Sequence, residues 1–318
     1  MSRGKFALVS LMLLAACSGN PIGTGNGGTG GGGTGGGAGS AAVPEQIAKN
    51  LRSIAYNPAG QGSLSVNMSS EQSSPSTVKF VRDATRDITG YRAFTYQETG
   101  LTRKHLAFVA INPRGNLRAA AVGDGGQFNI QHGGGTYSRI GTYSRPSISN
   151  APEKGQFSYA GTYAGVFVSS PGTHPSLPSG LQPGTPLSVR GDALITGNFA
   201  NNLIEGGVDN RYVLKTGGAP IDFNRDGSIT EADQLEALAF RETAIDADGR
   251  FLGDVEFDGK PGTAIGNYGG LFGGGGASDV AGAIVINPIP GENGIWEYGV
   301  FNLPRCDLAG ASALCIPR

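Results

Sequence analysis

The sequence is poor in charge, in histidine and cysteine, and in long hydrophobic runs. Charged residues make up 15% of the 318 positions, and 24 basic residues nearly balance 25 acidic ones. No basic stripe is visible, which argues against nucleic acid as a partner. Beyond the first sixteen residues, no stretch is long and apolar enough to cross a membrane as a helix.

Motifs of the common enzyme classes are also missing. The three histidines, His105, His132 and His174, are scattered, and none lies in a His-Glu-x-x-His motif. Neither a Gly-x-Ser-x-Gly elbow nor a phosphate-binding loop with a Gly-Lys-Ser/Thr ending occurs. We therefore expect a protein that is not an enzyme.

Glycine, by contrast, is abundant, with 55 of the 318 residues. This composition favours a β-rich, loop-rich protein over a helical one. Residues 18–40 consist almost entirely of Gly, Thr, Asn and Ser, and such a segment cannot bury apolar surface. It predicts a disordered tether that could extend to about 75 Å.

The first seventeen residues combine a basic start, a short apolar run and a cysteine. Arg3 and Lys5 precede an apolar segment that is too short to span a bilayer. The run Leu-Ala-Ala-Cys that ends at Cys17 resembles the lipobox of bacterial lipoprotein precursors. The resemblance implies that Cys17 receives a diacylglycerol and becomes the first residue after cleavage. The alternative is an ordinary signal peptide with a chance cysteine.

Several acyl chains on Cys17 would anchor the protein stably in a membrane, where one chain binds only marginally. Ser18 follows Cys17 and is not the aspartate that resembles an inner-membrane retention signal. We therefore expect a lipid anchor in the bacterial outer membrane, facing the cell surface or the periplasm.

The two other cysteines, Cys306 and Cys315, enclose eight residues near the C-terminus. In an oxidising compartment this spacing predicts a disulfide that pins the tail. Closing such a loop contributes about 2.5–3 kcal/mol in the chain-entropy description. A metal pair is the weaker alternative, since no histidine lies near.

The folded part changes its hydrophobic period along the chain. Residues 44–56 predict a helix, because Ile47, Leu51 and Ile54 recur on one face. Residues 61–76 are polar and predict a loop. From about residue 78 the period becomes two, which indicates strands.

The sharpest chemical motif is a twelve-residue loop at residues 222–233, which fits a calcium loop of the EF-hand or dockerin type. Hard Ca²⁺ prefers oxygen ligands, and the expected ligands are Asp222, Asn224, Asp226, Ser228 through its carbonyl, Thr230 and Asp233. Two departures weaken the match: position twelve is Asp instead of Glu, and no entering helix precedes the loop. Residues 231–242 predict an exiting helix. The alternative is a polar surface loop without an ion.

The clearest strand covers residues 157–168, where aromatic residues and glycines alternate with small residues. This pattern suits a tightly curved sheet. Two hairpins, at 187–208 and 244–257, and three later segments bring the total to about eight strands. The sequence thus predicts a mainly β protein: an eight-stranded antiparallel barrel, an N-terminal helix with a β-rich handle, and a short helix after the calcium loop.

The predicted organisation has five parts: a signal peptide over 1–16, a tether over 17–42, the helix and handle over 43–135, the barrel over 136–303 with the calcium-loop insertion at 214–242, and the tail over 304–318.

The segment 270–282 resembles the barrel signature of the transferrin-binding protein B family. In that family a Gly-x-Phe-aromatic-Gly-Pro-x-Ala-x-Glu-x-x-Gly stretch connects two late barrel strands. Five positions match: Gly270, Phe272, Gly274, Ala277 and Gly282. Asp279 replaces the glutamate, and Gly273 and Gly275 replace the aromatic residue and the proline. The resemblance covers roughly residues 137–286, and the alternative is a generic glycine-rich barrel.

The resemblance implies a non-enzymatic surface lipoprotein that captures a carrier protein, related to iron or haem, through its barrel and handle loops. The alternative function is a calcium-stabilised structural or adhesive envelope lipoprotein without a small ligand. His132, Tyr137, Tyr143 and Tyr159 are either haem contacts or filling of turns and barrel. The sequence does not identify the ligand.

Overall fold

The structure of the chain is a computed structural model. It describes residues 42–56, 62–69, 75–97, 99–100, 103–110, 114–126, 130–148, 155–169, 185–287 and 295–315. Cys17, the predicted signal peptide, nearly all of the predicted tether, and His174 lie outside the described residues. Among the described residues, no helix has the length and apolar character needed to cross a bilayer.

The described elements are almost all strands. One short helix, α1, spans Glu45–Ala48. The first seven strands are β1 Leu51–Tyr56, β2 Ser63–Met68, β3 Ser76–Arg82, β4 Tyr91–Tyr96, β5 His105–Ala110, β6 Leu117–Asp124 and β7 Gly133–Arg139. The next eight are β8 Gln156–Ser169, β9 Leu187–Asn198, β10 Leu203–Leu214, β11 Leu238–Ala244, β12 Arg250–Phe257, β13 Gly266–Gly273, β14 Asp279–Ile286 and β15 Ile295–Pro304. Single 3₁₀ turns lie at Ala84–Arg86 and Glu231–Asp233.

The strands form two antiparallel assemblies. Strands β1 to β7 follow one another in a seven-stranded sheet, and β8 to β15 form a closed barrel in which β8 pairs with both β9 and β15. The predicted fold class, with its eight-stranded antiparallel barrel, is confirmed. The sheet ends with β7 and the barrel begins with β8 at Gln156, whereas the sequence placed the start of the barrel at residue 136.

Aromatic side chains fill the barrel interior. Six of its largest rings have almost no exposed surface: Tyr159, Tyr163, Phe199, Tyr268, Phe272 and Phe301. The rings of Phe240 and Phe301 come from strands on opposite sides of the barrel, and their centroids are 6.2 Å apart. The Phe199 and Phe272 rings lie 5.0 Å apart. Contacts that cross the diameter leave no room for a ligand at that level.

The seven-stranded sheet packs against the outer wall of the barrel. Every residue of β14 is buried, because one face points into the barrel and the other meets the sheet. The Tyr298 ring of β15 lies directly against the backbone of Gly133 in β7. The Tyr91 hydroxyl donates to the Thr162 carbonyl (2.6 Å) and accepts from the Asn302 amide (3.1 Å). Sheet and barrel therefore form a single packed body.

The predictions for residues 44–56 and 61–76 were wrong in extent. The predicted helix at 44–56 is only α1, because the chain from Leu51 onward pairs with β2 as β1. The predicted loop at 61–76 contains β2, whose alternating Leu64, Val66 and Met68 are buried. A single helical turn cannot repay its nucleation cost alone, so strand pairing prevails.

The predicted exiting helix at 231–242 is a single 3₁₀ turn at Glu231–Asp233, after which the chain enters β11. β11 pairs with β10 and β12 and so closes the ring of strands. Leu238 and Phe240 belong to the buried core of the barrel. Closure of the barrel therefore overrides the local helical pattern.

Candidate functional site

The predicted calcium loop connects β10 to β11 and is built around its own carboxylates. Asp222 Oδ1 accepts from the Arg225 amide (2.6 Å) and Oδ2 from the Gly227 amide (2.9 Å). Asn224 Oδ1 accepts from the Asp226 amide at 3.0 Å. Gly227 has a φ of 87°, which glycine adopts without strain. The side chains at positions one and three of the loop thus support its turns.

Asp233, the expected closing ligand, is fully buried. Its Oδ1 accepts from the amides of Phe223 (2.7 Å) and Asn224 (3.3 Å). Its Oδ2 accepts from the amide (2.9 Å) and hydroxyl (3.3 Å) of Thr230, the cap of the 3₁₀ turn. These hydrogen bonds, the Thr230 amide first, lower the pKa of Asp233 below its usual value.

The four donors occupy both oxygens of Asp233, which leaves this carboxylate no free oxygen for bidentate binding of an ion. The loop residues therefore suit only a weak ion site. Within the described ranges, no three His, Cys, Asp or Glu side chains are grouped to hold a metal ion. Calcium binding stays a prediction.

The insertion between β10 and β11 packs against the barrel core. Ile221 is buried in that core, and Phe223 and Leu235 pack against it. Arg211, in the last third of β10, donates to the Glu236 carbonyl, and its own carbonyl accepts from the Leu235 amide at 2.8 Å. These contacts hold the insertion on the barrel.

A buried ion pair lies inside this part of the barrel. The side chains of Arg211 and Glu297 are each 3% exposed, and Arg211 Nη2 lies 2.5 Å from Glu297 Oε2. The Tyr163 hydroxyl donates to Glu297 Oε1 at 2.6 Å. Burial, and then the Glu297 charge, raises the pKa of the Tyr163 phenol well above its usual value.

The residues that match the barrel signature serve the fold. Phe272 points into the aromatic interior, and the buried Ala277 accepts the Tyr159 hydroxyl at its carbonyl (2.7 Å). At Gly270 an added Cβ would lie 2.5 Å from the Ala281 carbonyl oxygen, so no side chain fits. The matching residues explain the curvature and filling of the barrel and do not form a ligand site.

Asp279, which stands where the family has glutamate, is buried and joins the sheet to the barrel. Its carboxylate accepts from Arg114 Nη1 (2.7 Å), Asn116 Nδ2 (3.1 Å) and the Ser278 hydroxyl (2.6 Å). Both carboxylate oxygens of Asp279, whose side chain is shorter than that of glutamate, thus accept hydrogen bonds from neighbouring side chains.

The Cys306–Cys315 disulfide is present, as the spacing predicts. The Cys306 amide donates to the Ser158 carbonyl at 2.8 Å. Arg114 Nη2 donates to the carbonyl of Ala309, inside the closed loop, at 2.5 Å. The tail is therefore fixed to both the barrel and the hairpin of β5 and β6.

The residues weighed as haem contacts are separated and already engaged. His132 lies beside Asp124 and Arg103 in the sheet. Tyr159 fills the barrel, and Tyr137 packs in the cluster between sheet and barrel. Arg139 lies over the Tyr143 ring, with its guanidinium carbon 4.9 Å from the centroid. The positions favour packing over haem contact for these residues.

A surface groove of about 360 Å³ lies on the outer wall of the barrel, and sequence reasoning missed it. Eight residues line this groove: Gln46, Arg241, Glu242, Thr243, Leu252, Gly253, Asp254 and Asn267. It forms where β11 and β12 separate. In this completely described stretch the two strands pair from Leu238↔Phe257 to Phe240↔Val255 and no further.

Side chains replace the missing ladder hydrogen bonds in the groove. The Tyr268 hydroxyl donates to the Arg241 carbonyl (2.7 Å), and the Thr243 hydroxyl donates to the Leu252 carbonyl (2.8 Å). An added Cβ at Gly253 would lie 2.5 Å from the Tyr268 ring, so glycine is required there. Gly253 in a strand interior is the one sequence signal that marks this opening.

The groove carries more negative than positive charge. Arg241 lies 3.6 Å from Asp254 and 3.4 Å from Glu256, and the Asp254 side chain is 47% exposed. Asn267 Nδ2 donates to Asp254 at 3.0 Å. With Glu242 also in the lining, two carboxylates accompany one guanidinium in the groove, and the buried Glu256 lies beside that guanidinium.

Comparisons with known proteins found no match for the sequence among protein families or curated proteins. The fold aligns with transferrin-binding protein B (a Tyr-167-Ala and Trp-176-Ala double mutant) from Haemophilus parasuis Hp5 at 11% identity and a TM-score of 0.36, over 80% of this chain and 54% of that one. It aligns with transferrin-binding protein B from serogroup B Neisseria meningitidis at 13% identity and a TM-score of 0.33, over 79% and 50%.

A third alignment is with HpuA from Kingella denitrificans, solved in complex with human haemoglobin, at 9% identity and a TM-score of 0.32, over 86% of this chain and 92% of that one. The chain spans about half the length of the transferrin-binding proteins that it matches. At these scores the likeness carries no argument about what this chain binds.

Proposed function

We propose that the chain is a lipid-anchored outer-membrane protein that captures a partner protein on its outer surface and catalyses no reaction. The observation that supports this most is the filled barrel, in which the Phe240 and Phe301 rings meet across the diameter. Because the interior is occupied by the protein's own side chains, a ligand has to be recognised from outside. The lipobox that ends at Cys17, followed by a glycine-rich tether, supports the anchor and the distance from the membrane.

The groove between β11 and β12 is the proposed contact for the partner. Its carboxylates outnumber its one guanidinium, which favours a basic patch on the partner. The similarity of residues 270–282 to the transferrin-binding signature suggests the class of partner, a carrier of iron or haem.

We predict that the mature protein binds one such carrier with a Kd in the micromolar range or below. Transferrin and haemoglobin are the probes, with serum albumin as the negative control, and binding is measured by interferometry. Replacing Asp254 with asparagine removes one groove charge and is expected to weaken binding about fivefold, which corresponds to about 1 kcal/mol.

The matched control is Asp209→Asn, which removes an exposed charge from β10 outside the groove lining and retains an oxygen for the Asn210 amide. It should leave binding unchanged. Equal binding by the Asp254 and Asp209 variants would contradict the groove as the contact, and failure to bind either carrier would contradict the iron-carrier class.

We also propose that the 222–233 loop binds calcium weakly, in the 10⁻⁴–10⁻³ M range known for extracellular sites. About 10 mM calcium should then raise Tm by about 3–5 °C. Asp226→Asn is the sharp test, because asparagine keeps the oxygen that accepts from the Ser228 amide (2.8 Å) and removes only the charge. This variant should melt like the parent in chelator and show no rise with calcium. Equal melting of the parent in calcium and in chelator would refute the site.

A further inference from the structure

The seven-stranded sheet curls around a second apolar core on the face that points away from the barrel. Buried side chains from β1 to β6 fill this concave face, with Phe94, Val109 and Ala120 among them. At one end of the sheet the Asn50 amide, just before β1, donates to the Gly133 carbonyl of β7 at 3.0 Å. Beyond this contact β1 and β7 do not pair within the described ranges. The concave face is therefore open at the opposite end.

Tyr56 and Arg92 meet at this open end, although their strands are not neighbours. Tyr56 is the last residue of β1, and Arg92 lies near the start of β4. Arg92 Nη1 donates to the Tyr56 hydroxyl at 2.6 Å, and the centroids of the Tyr56 and Phe94 rings are 5.8 Å apart. The curl of the sheet thus brings side chains of distant strands to one rim above an aromatic floor.

Arg118 in β6 points to the same concave side. Side chains alternate along a strand, and Ala120, two residues further on, belongs to the concave core. Val109 of β5 pairs with both Arg92 and Ala120. On a flat sheet the Cα atoms of Arg92 and Arg118 would lie about 12 Å apart, and the curl brings their guanidinium groups closer. We call the rim formed by Tyr56, Arg92 and Arg118 the mouth of the sheet.

Neither arginine of the mouth has a carboxylate partner in the part of the chain that the structure describes. Arg92 is half-buried, and its one hydrogen-bond partner among those residues is the Tyr56 hydroxyl. Arg118 is exposed and has no partner among them. Because each guanidinium offers five N–H donors, the described residues leave nearly all of the donors at the mouth unused.

The acidic residues nearest to the mouth in sequence are paired with other arginines. Asp83 and Asp87 lie between β3 and β4. Asp87 accepts from Arg82, and Asp83 lies 3.4 Å from Arg86 Nε. The connections from β1 to β2 and from β5 to β6 contain no acidic residue in the sequence. The two charges at the mouth are therefore available to an anion from outside.

We propose that the mouth binds a phosphate monoester, with Arg92 and Arg118 as the two cations that hold it. Such a group carries a charge of about −1.5 to −2 at neutral pH, which matches two guanidinium charges without a local anion. Guanidinium groups bind phosphate oxygens through paired N–H donors. The Tyr56 hydroxyl orients Arg92, and the rings of Tyr56 and Phe94 offer apolar contact to the rest of the ligand. The ligand is a soluble phosphate ester or the phosphate headgroup of a lipid.

The test uses glycerol phosphate, titrated calorimetrically at constant ionic strength into the mature chain with Cys17→Ser, which carries no lipid. We expect a Kd of about 1 mM or lower. Arg118→Gln should weaken binding about tenfold without a change in melting temperature, because Arg118 is exposed. Arg92→Gln should weaken binding to a similar extent. The matched control is Arg190→Gln, which removes an exposed arginine of the barrel and should leave binding unchanged.

Vesicles of phosphatidic acid, with phosphatidylcholine vesicles as the reference, distinguish the two sources of the phosphate group. Sedimentation of the parent with phosphatidic acid alone, and its loss in Arg118→Gln, would assign a lipid headgroup. Binding of glycerol phosphate without sedimentation would assign a soluble ester. Failure to bind glycerol phosphate, equal affinity for acetate, or equal affinities of the Arg118→Gln and Arg190→Gln variants would each overturn the site.

Discussion

Replacement of Gly282 by valine is expected to abolish the folded barrel. Gly282 lies on β14, opposite Gly270 on one side and Phe301 on the other. A Cβ there would fall onto the Gly269 carbonyl oxygen and the Phe301 ring. The backbone cannot yield, because β14 is paired along both edges and buried along its whole length. We expect a loss of about 4 kcal/mol or more, enough to leave much of the chain unfolded.

Gly275→Ala is the matched control for Gly282→Val, because it changes a glycine of the same signature segment that has no atom within 4 Å of an added Cβ. Its melting temperature should stay within about 2 °C of that of the parent. Near-ultraviolet circular dichroism and thermal melting measure both variants. A cooperative melt of Gly282→Val at the parental temperature would show that the strands near Gly282 are spaced differently.

The substitution Glu297→Ala should lower the free energy of unfolding by about 3–5 kcal/mol, because it leaves the Arg211 charge buried inside the barrel without its partner. The pair is 2.5 Å apart, and each side chain is 3% exposed. The Tyr163 hydroxyl would lose its acceptor in the same step. The melting temperature should fall by about 10 °C or more.

A double variant, Arg211→Met with Glu297→Leu, distinguishes loss of the charge balance from loss of packing. Apolar replacement of a whole buried pair is often neutral, so this variant should melt above Glu297→Ala and recover most of the lost stability. Tyr163→Phe, which removes only the hydroxyl, should cost about 1 kcal/mol. If the double variant melts below the single one, the Arg211–Glu297 pair is a net source of stability in this barrel.

The barrel could be predicted from sequence because its strands carry their own signal. In β8 the residues Phe157, Tyr159, Tyr163 and Phe167 alternate with smaller ones, and these four side chains lie in the barrel core. The spacing of Cys306 and Cys315 likewise indicated their disulfide directly, with a metal pair as the weaker alternative. Period-two alternation with turn signals between strands is enough to count eight strands.

The helix predictions failed where pairing with neighbouring strands decides the local structure. Residues 44–56 and 231–242 have apolar spacings that fit a helix, yet the barrel and sheet provide strand partners for β1 and β11. Short apolar segments do not distinguish the two periods by themselves. Tertiary pairing therefore outweighs local propensity at both places.

The candidate sites could be predicted from the sequence less well than the fold. Tyr56, Arg92 and Arg118 lie on β1, β4 and β6, and only the curl of the sheet brings their side chains to one mouth. The groove depends on the point at which β11 and β12 stop pairing. Neither arrangement has a characteristic spacing in the sequence, apart from Gly253 in the interior of β12.

Mass spectrometry of the intact protein, purified with mild detergent from its own membranes, tests most directly whether this filled barrel is a lipid-anchored capture protein. We predict a mature chain that begins at Cys17, carries the added mass of its acyl chains, and elutes with a second protein in constant proportion. A chain that begins at another residue, or that carries no lipid and elutes alone, would contradict the proposed anchor and function.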